Sequence, residues 1–160
     1  MKTALFVIAL SGLCVRAQPS MEAPVVAVEP FATQVDGIVE DGWLKAENGY
    51  LSAEWLSEDD PLAEYTYLGD YLTTAYTHTG SCCADGSYPE AGYSVATNVL
   101  PFGTTLYISG VGMRTVTDRG PGSMPDEWLD IFMDGYSECV NYGMQTRGVW
   151  VVPEGGGSDD

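Results

Sequence analysis

Two stretches decide the fold of the second half of the chain: Met113-Arg-Thr-Val-Thr-Asp118, which runs into the turn Arg119-Gly-Pro-Gly122, and Trp128-Leu-Asp-Ile-Phe-Met133. The first alternates apolar and polar residues with the period of two that is typical of a β-strand, and the second is an apolar strand-like run. Asp118 ends the first strand beside the glycine-rich turn, and Asp130 lies between apolar residues inside the second. Two carboxylates placed in this way can converge in a small β-barrel and supply an acid/base pair.

Four further strand-like runs flank these two. The predicted strands cover residues 70–77, 93–97, 104–109, 113–118, 128–133 and 148–152, and turn signals at 85–86, 101–103, 110–112 and 120–122 separate them. One short helix fits, with Ser137 as its N-cap and Gly143 as its stop. Residues 69–152 are therefore predicted to form a mainly β fold, a small closed barrel of six strands with one short helix.

The residues before the barrel divide into three predicted segments. Residues 1–17 combine a positive start, an apolar stretch from Ala4 to Val15 and a small-residue cleavage site at Ala17, the pattern of a secretory signal peptide. An uncleaved N-terminal anchor is the alternative. Residues 18–40 indicate a Pro-rich acidic linker, and residues 41–68 an acidic N-terminal extension. Aromatic residues of that extension, such as Trp43 and Trp55, either drape over the domain or form a carbohydrate-binding strip. Residues 153–160 are predicted to be a disordered tail.

The charge of the chain limits its partners. The formal net charge is -17, and because Lys2 and Arg16 would leave with the signal, the mature chain would be more acidic still. Such a charge argues against nucleic acid and anionic lipid surfaces as partners. We expect a secreted, extracellular monomer that has no membrane association after signal removal.

The cysteines of the mature chain are odd in number: Cys82, Cys83 and Cys139. Adjacent cysteines rarely bond each other without strain, so Cys139 is expected to pair with Cys82 or Cys83 in an oxidising compartment, which leaves one free thiol. A metal site of these cysteines and His78 is a second possibility, although the ligand spacing is unusual.

Each aspartate has a chemical and a structural interpretation. Alternation places Asp130 on one face with Trp128 and Phe132, whose apolar rings would raise its pKa and could pack against sugar rings. The structural alternative is a surface aspartate on the solvent face of a strand. Asp118 either takes part in the chemistry or accepts backbone N–H bonds that hold its turn.

The order of the motifs resembles that of the 3D domain family. The resemblance covers about 85 residues and is carried by six ordered motifs: Leu68-Gly-Asp-Tyr-Leu-Thr-Thr-Ala-Tyr76, Gly86-Ser-Tyr-Pro-Glu-Ala-Gly92, Val95-Ala-Thr-Asn-Val-Leu-Pro-Phe-Gly-Thr104, Val116-Thr-Asp-Arg-Gly120, Leu129-Asp-Ile-Phe132 and Asn141-Tyr-Gly-Met-Gln-Thr146. The family is named for three aspartates on a double-psi β-barrel and includes lytic transglycosylases, which cleave peptidoglycan glycan strands without water.

The resemblance implies a function and a set of site residues. Asp130 matches the family's catalytic aspartate and Asp118 its supporting one. Asn98 lies nearest the place of the third aspartate, and Asn98, Trp128, Phe132 and Tyr76 are expected to bind substrate. The implied partner is the peptidoglycan glycan strand, and no cofactor or metal is expected. Because asparagine cannot carry charge, the alternative is a non-catalytic peptidoglycan- or carbohydrate-binding or interaction module that has lost part of the aspartate triad.

Overall fold

Six strands from the second half of the chain close into a barrel in the order β10-β11-β9-β12-β8-β13. The structure, a computed structural model, describes residues 1–154, and the chain divides into two units between Glu64 and Tyr65. The barrel strands are β8 (Thr66–Tyr76), β9 (Ser94–Ala96), β10 (Thr105–Ile108), β11 (Gly112–Asp118), β12 (Trp128–Phe132) and β13 (Gln145–Val151). The pairs β11–β9 and β12–β8 are parallel, and the other neighbours are antiparallel.

Inward-pointing side chains from all six strands fill the barrel. The core consists of Tyr71, Val95, Leu106, Ile108, Val116, Leu129, Ile131 and Val149, most of them fully buried. Leu129 and Ile131 are the inward residues of β12, so the residue between them, Asp130, lies on the outer face of the sheet.

The predicted barrel is confirmed. All six predicted strands are present, most with ends that differ by a few residues, and the chain is mainly β with one short helix. Hydrophobic alternation sufficed here because each strand has one face in the core and the other face outside it.

The helix α1 (Tyr136–Tyr142) begins two residues earlier than predicted. Its N-cap is Gly135 and no side chain caps it, so Ser137 lies inside the helix. Gly143 ends the helix as predicted, with a φ of 64°, a left-handed conformation that glycine adopts without strain.

The first unit, residues 1–64, is a seven-stranded sheet with the order β3-β2-β6-β5-β4-β1-β7. Its strands are β1 (Thr3–Val7), β2 (Leu13–Arg16), β3 (Val25–Glu29), β4 (Gln34–Glu40), β5 (Trp43–Ala46), β6 (Gly49–Ser52) and β7 (Leu56–Ser57), with a 3-10 turn at Ala53–Trp55. Val7, Val15, Leu44 and Leu51 are fully buried in its own core.

This unit corrects the predicted division of the N-terminal half. The segments predicted as a linker, 18–40, and as an extension, 41–68, form strands of one sheet, and residues 66–68 already belong to β8. Residues 3–7 and 13–16, inside the predicted signal peptide, are strands of the same sheet. A short apolar run is compatible with both a signal peptide and buried strands, so the sequence pattern alone does not separate the two. Cleavage after Ala17 itself stays a prediction.

Two remaining predictions concern the tail and the membrane. Residues 155–160 of the predicted disordered tail lie outside the described residues. Within residues 1–154, no helix has the length and apolar character needed to cross a bilayer.

Candidate functional site

Four residues form a continuous row across neighbouring barrel strands. Thr74 of β8 is paired with Asp130 of β12, Asp130 is paired with Ala96 of β9, and Ala96 is paired with Asp118 of β11. Paired residues of adjacent strands point to the same face of a sheet, so the four side chains share the outer face. The two aspartates lie two strands apart, about 10 Å between their Cα atoms, and the small side chain of Ala96 leaves the space between them open.

A β-bulge places Asp118 on that face. The register of β11 and β9 pairs Val116 with Val95 and then Asp118 with Ala96, so Thr117 is an extra residue. Without the bulge, strict alternation would turn Asp118 to the same side as the buried Val116. Bulges commonly redirect a side chain next to a functional site. The sequence pattern gave no sign of this bulge.

Three residues of this row line a cleft of about 370 Å³. Asp118, Asp130 and Ala96 line it, together with Tyr76, Thr77, Thr79, Ser81, Cys82, Pro89, Arg119, Gly120, Pro121 and Phe132. The walls come from the loop after β8 and the turn after β11. The cleft therefore brings together the two aspartates that were predicted to form an acid/base pair.

Asp118 is held by three donors. Its Oδ1 accepts hydrogen bonds from the backbone N–H of Ala84 at 2.8 Å and of Arg119 at 2.9 Å, and its Oδ2 accepts one from the Tyr76 hydroxyl at 2.9 Å. Asp118 thus braces the turn, and the same three bonds fix its carboxyl group in the lining of the cleft.

Asp130 has the opposite surroundings. Burial raises its pKa, a hydrogen bond from the Thr74 hydroxyl to Oδ1 at 2.9 Å lowers it, and the negative charge of Asp118 raises it. The net shift is upward, so Asp130 holds a proton to higher pH than an ordinary aspartate. Two carboxylates of one cleft with unlike environments are the usual sign of an acid/base division of roles.

Tyr76 supports Asp118 from β8. Burial is the main reason that the pKa of its hydroxyl is raised, and the hydrogen bond to Asp118 adds to the shift. The hydroxyl therefore stays protonated and serves as a donor. Tyr76 lines the cleft, and its ring packs edge-on against Phe132 with 5.4 Å between ring centroids; that it binds substrate stays a prediction.

The two aromatic residues of β12 have different roles from those predicted. Phe132 lines the cleft, but only 1% of it is exposed, and its ring packs against Tyr76 and His78. It is a wall rather than a stacking surface for a sugar. Trp128 does not line the cleft; its indole N–H donates to the Thr74 hydroxyl at 2.8 Å.

Asn98 is not among the residues that line the cleft. Its side-chain amide donates to the carbonyl of Pro121 at 2.7 Å, and its Oδ1 accepts from the backbone N–H of Gly120 at 2.9 Å. Both ends of the side chain are used to hold the Gly120–Pro121 turn. The expectation that Asn98 binds substrate therefore finds no support in this geometry.

The predicted disulfide of Cys139 with Cys82 or Cys83 is absent, because all four cysteines, each within the described part of the chain, are free thiols. Cys83 is buried and its sulfur accepts a hydrogen bond from the Thr117 hydroxyl at 3.4 Å, while Cys82 is exposed at the cleft. Residues 1–154 contain no cluster of three or more His, Cys, Asp or Glu side chains that could hold a metal ion. His78 lies 3.5 Å from Asp134 instead.

The first unit has a cavity of its own, of about 640 Å³. It is lined mainly by apolar residues, among them Leu10, Met21, Trp43 and Trp55, with Arg16 as its charged residue. Two of the aromatic residues in the predicted extension thus come together around one cavity.

Sequence reasoning missed two groups that donate hydrogen bonds to the aspartates of the cleft. Thr74 lies on the outward face of a predicted strand, two residues before Tyr76, so alternation alone would have placed both on one face. The N–H of Ala84 left no such signal, because a backbone donor can be placed only by the fold of its loop.

Comparison with known proteins gives a limited result. No family model matches the chain. A segment of 59 residues, 37% of the chain, is 34% identical to the cell wall-binding protein YocH of Bacillus subtilis (strain 168), and the match covers 20% of the length of that relative.

Proposed function

We propose that the barrel unit is a peptidoglycan lytic transglycosylase that cleaves the bond between N-acetylmuramic acid and N-acetylglucosamine. The observation that carries the proposal is the shared cleft of Asp130 and Asp118, in which burial raises the pKa of Asp130 and three donors hold Asp118 in place. The similarity to a protein named for cell wall binding supports the cell wall as the place of action, and so does the resemblance to the 3D domain family.

Asp130 performs both proton transfers in this proposal. It first gives its proton to the glycosidic oxygen, and the bond between that oxygen and C1 of the muramoyl residue breaks. The resulting carboxylate then takes the proton of the muramoyl C6 hydroxyl while O6 bonds to C1, which yields a 1,6-anhydro end and returns Asp130 to its acid form. The substrate supplies the nucleophile, so no second carboxylate needs to activate water.

Asp118 stabilises the charge that develops between these two steps. Its carboxylate faces the same cleft, and positive charge forms at C1 as the glycosidic bond breaks. A negative group that is already fixed by hydrogen bonds needs little reorganisation to stabilise that charge. Tyr76, Ala84 and Arg119 contribute by holding it in place.

Digestion of purified sacculi tests this function. We expect mass spectrometry to find anhydro-muropeptides with the wild-type protein and none with Asp130→Asn, which removes the transferable proton at nearly constant size. Hydrated reducing ends would identify a hydrolase instead, and equal turnover by Asp130→Asn would remove Asp130 from the chemistry.

A non-catalytic wall-binding module is the second candidate. Two observations favour it: Asn98 is engaged by a turn, so the cleft contains two of the family's three aspartates, and the first unit has an apolar cavity with two indole rings. Such a module would sediment with insoluble peptidoglycan without clearing a zymogram. A zymogram that is cleared by the wild-type protein and not by Asp130→Asn would identify the protein as an enzyme.

A further inference from the structure

A chain of two hydrogen bonds leads from an indole ring to the carboxyl group of Asp130. The indole N–H of Trp128 donates to Oγ1 of Thr74 at 2.8 Å, and the hydroxyl of Thr74 donates to Oδ1 of Asp130 at 2.9 Å. Indole nitrogen is a donor only, whereas a hydroxyl has one proton and two lone pairs. The Trp128 bond therefore occupies a lone pair of Oγ1 and directs the hydroxyl proton toward Asp130.

The consequence for Asp130 is that its two oxygens are unequal. Oδ1 already accepts a proton from Thr74, while Oδ2 has no hydrogen-bond partner within the described residues. A transferable proton on Oδ1 would lie close to the proton that Thr74 donates to the same oxygen, and the two would repel each other. A proton on Oδ2 avoids this conflict and leaves the Thr74 bond intact.

We propose that Thr74, oriented by Trp128, is a positioning residue that confines the transferable proton of Asp130 to Oδ2. The inference rests on the proposed function in one respect, since it takes Asp130 as the group that transfers the proton. It also assigns a new role to Trp128, which supports the proton donor from behind the cleft instead of binding a sugar.

The same bond has a second effect on the chemistry. After Asp130 has given up its proton, the Thr74 hydroxyl stabilises the carboxylate against the burial that opposes its charge. Burial thus raises the pKa of Asp130, and Thr74 limits that rise, so that the proton can still be released. Removal of the hydroxyl would leave burial and the nearby Asp118 charge, which both raise the pKa of Asp130.

Three variants separate this role from a merely structural one. Thr74→Val is isosteric and lacks the hydroxyl, Thr74→Ser keeps it, and Trp128→Phe keeps the hydroxyl but removes the group that orients it. The pKa of Asp130 is measured by the carbon chemical shift of its carboxyl group in NMR, which needs no turnover. Backbone spectra of each variant check that the barrel is intact.

We expect the pKa of Asp130 to move upward in Thr74→Val, upward by less in Trp128→Phe, and not at all in Thr74→Ser. The alkaline limb of the pH–rate profile on sacculi should move in the same order. An unchanged Asp130 pKa in a folded Thr74→Val protein would overturn the proposal, as would a Thr74→Ser shift equal to that of valine. The NMR shifts can follow the expected order while neither the wild type nor any variant releases anhydro-muropeptides. In that case the positioning of Asp130 by Thr74 and Trp128 stands, and the proposed function fails.

Discussion

Asp118 and Asp130 are the same residue type, 12 positions apart, yet their surroundings differ in a way that defines the site. Asp118 meets three donors at a strand end, and Asp130 is partly buried within a strand beside one donor. The donors fix the position of the Asp118 carboxyl group, and burial raises the pKa of Asp130. Their roles therefore follow from backbone geometry, which places Ala84 and Thr74 next to them, more than from the residues that adjoin them in sequence.

The stability of the protein should report the raised pKa of Asp130. Because the native pKa lies above the unfolded value of about 3.9, the native state binds more protons between the two values, and stability falls as pH rises through that window. We expect Asp130→Asn to remove this fall, so that the variant is at least as stable as wild type at pH 7. Urea unfolding at several pH values measures it. A variant that is clearly less stable at pH 7 would contradict the assignment of burial as the main cause.

Asn98→Asp should not restore a family-like site. The carboxylate can still accept from Gly120 but can no longer donate to the Pro121 carbonyl, which it would face at hydrogen-bond distance. We expect a loss of about 1–3 kcal/mol in the free energy of unfolding and no gain in anhydro-muropeptide release. Thermal unfolding and sacculus digestion check the two parts. A gain in activity would show that residue 98 does serve as the third aspartate.

At the level of elements, the barrel could be predicted and the N-terminal sheet could not. Leu129, Ile131 and Val116 alternate with polar residues and lie in the core, so the period of two was enough to find their strands. The apolar residues between Ala4 and Val15 follow one another with few polar interruptions, and a signal peptide has the same composition. The bulge at Thr117 was beyond prediction, since it depends on the register of β9 against β11.

Ala96 lies between the two aspartates in the row, on the strand between β11 and β12. A larger side chain at this position should therefore affect the site. Ala96→Val suits a strand but places two methyl groups between the carboxyl groups, where the cleft would hold the scissile bond. We expect turnover to fall on the order of 10- to 100-fold, because small displacements of reacting groups have effects of this size. Rates on sacculi measure it.

Ala96→Gly is the matched control, since it leaves the space open. It should keep most of the turnover and lower the free energy of unfolding by about 0.5–1 kcal/mol. If Ala96→Val turned over as fast as wild type while folding normally, the substrate would have to lie elsewhere than across this row.

For the whole molecule, the two units have cavities with different linings. The barrel unit has a polar cleft with two carboxylates, and the first unit has an apolar cavity with Trp43 and Trp55. Each unit has a hydrophobic core made of its own residues. A cleaving unit joined to a binding unit raises the effective concentration of the cleaving unit at its substrate, which would help a chain whose net charge of -17 gives it little electrostatic attraction to an anionic wall.

The first 17 residues are the point at which the structure and the sequence pattern differ most, and their removal is the test. Deletion of residues 1–17 takes away β1 and β2, including the fully buried Val7 and Val15. We expect residues 18–64 to lose protection in hydrogen exchange, because the remaining strands lose both pairing partners and core, while residues 65–154 keep theirs. Val15→Asp in the full chain is the control: a charge buried without a partner should unfold the same unit. Full protection of residues 18–64 after the deletion would mean that these strands are dispensable, as the predicted signal peptide requires.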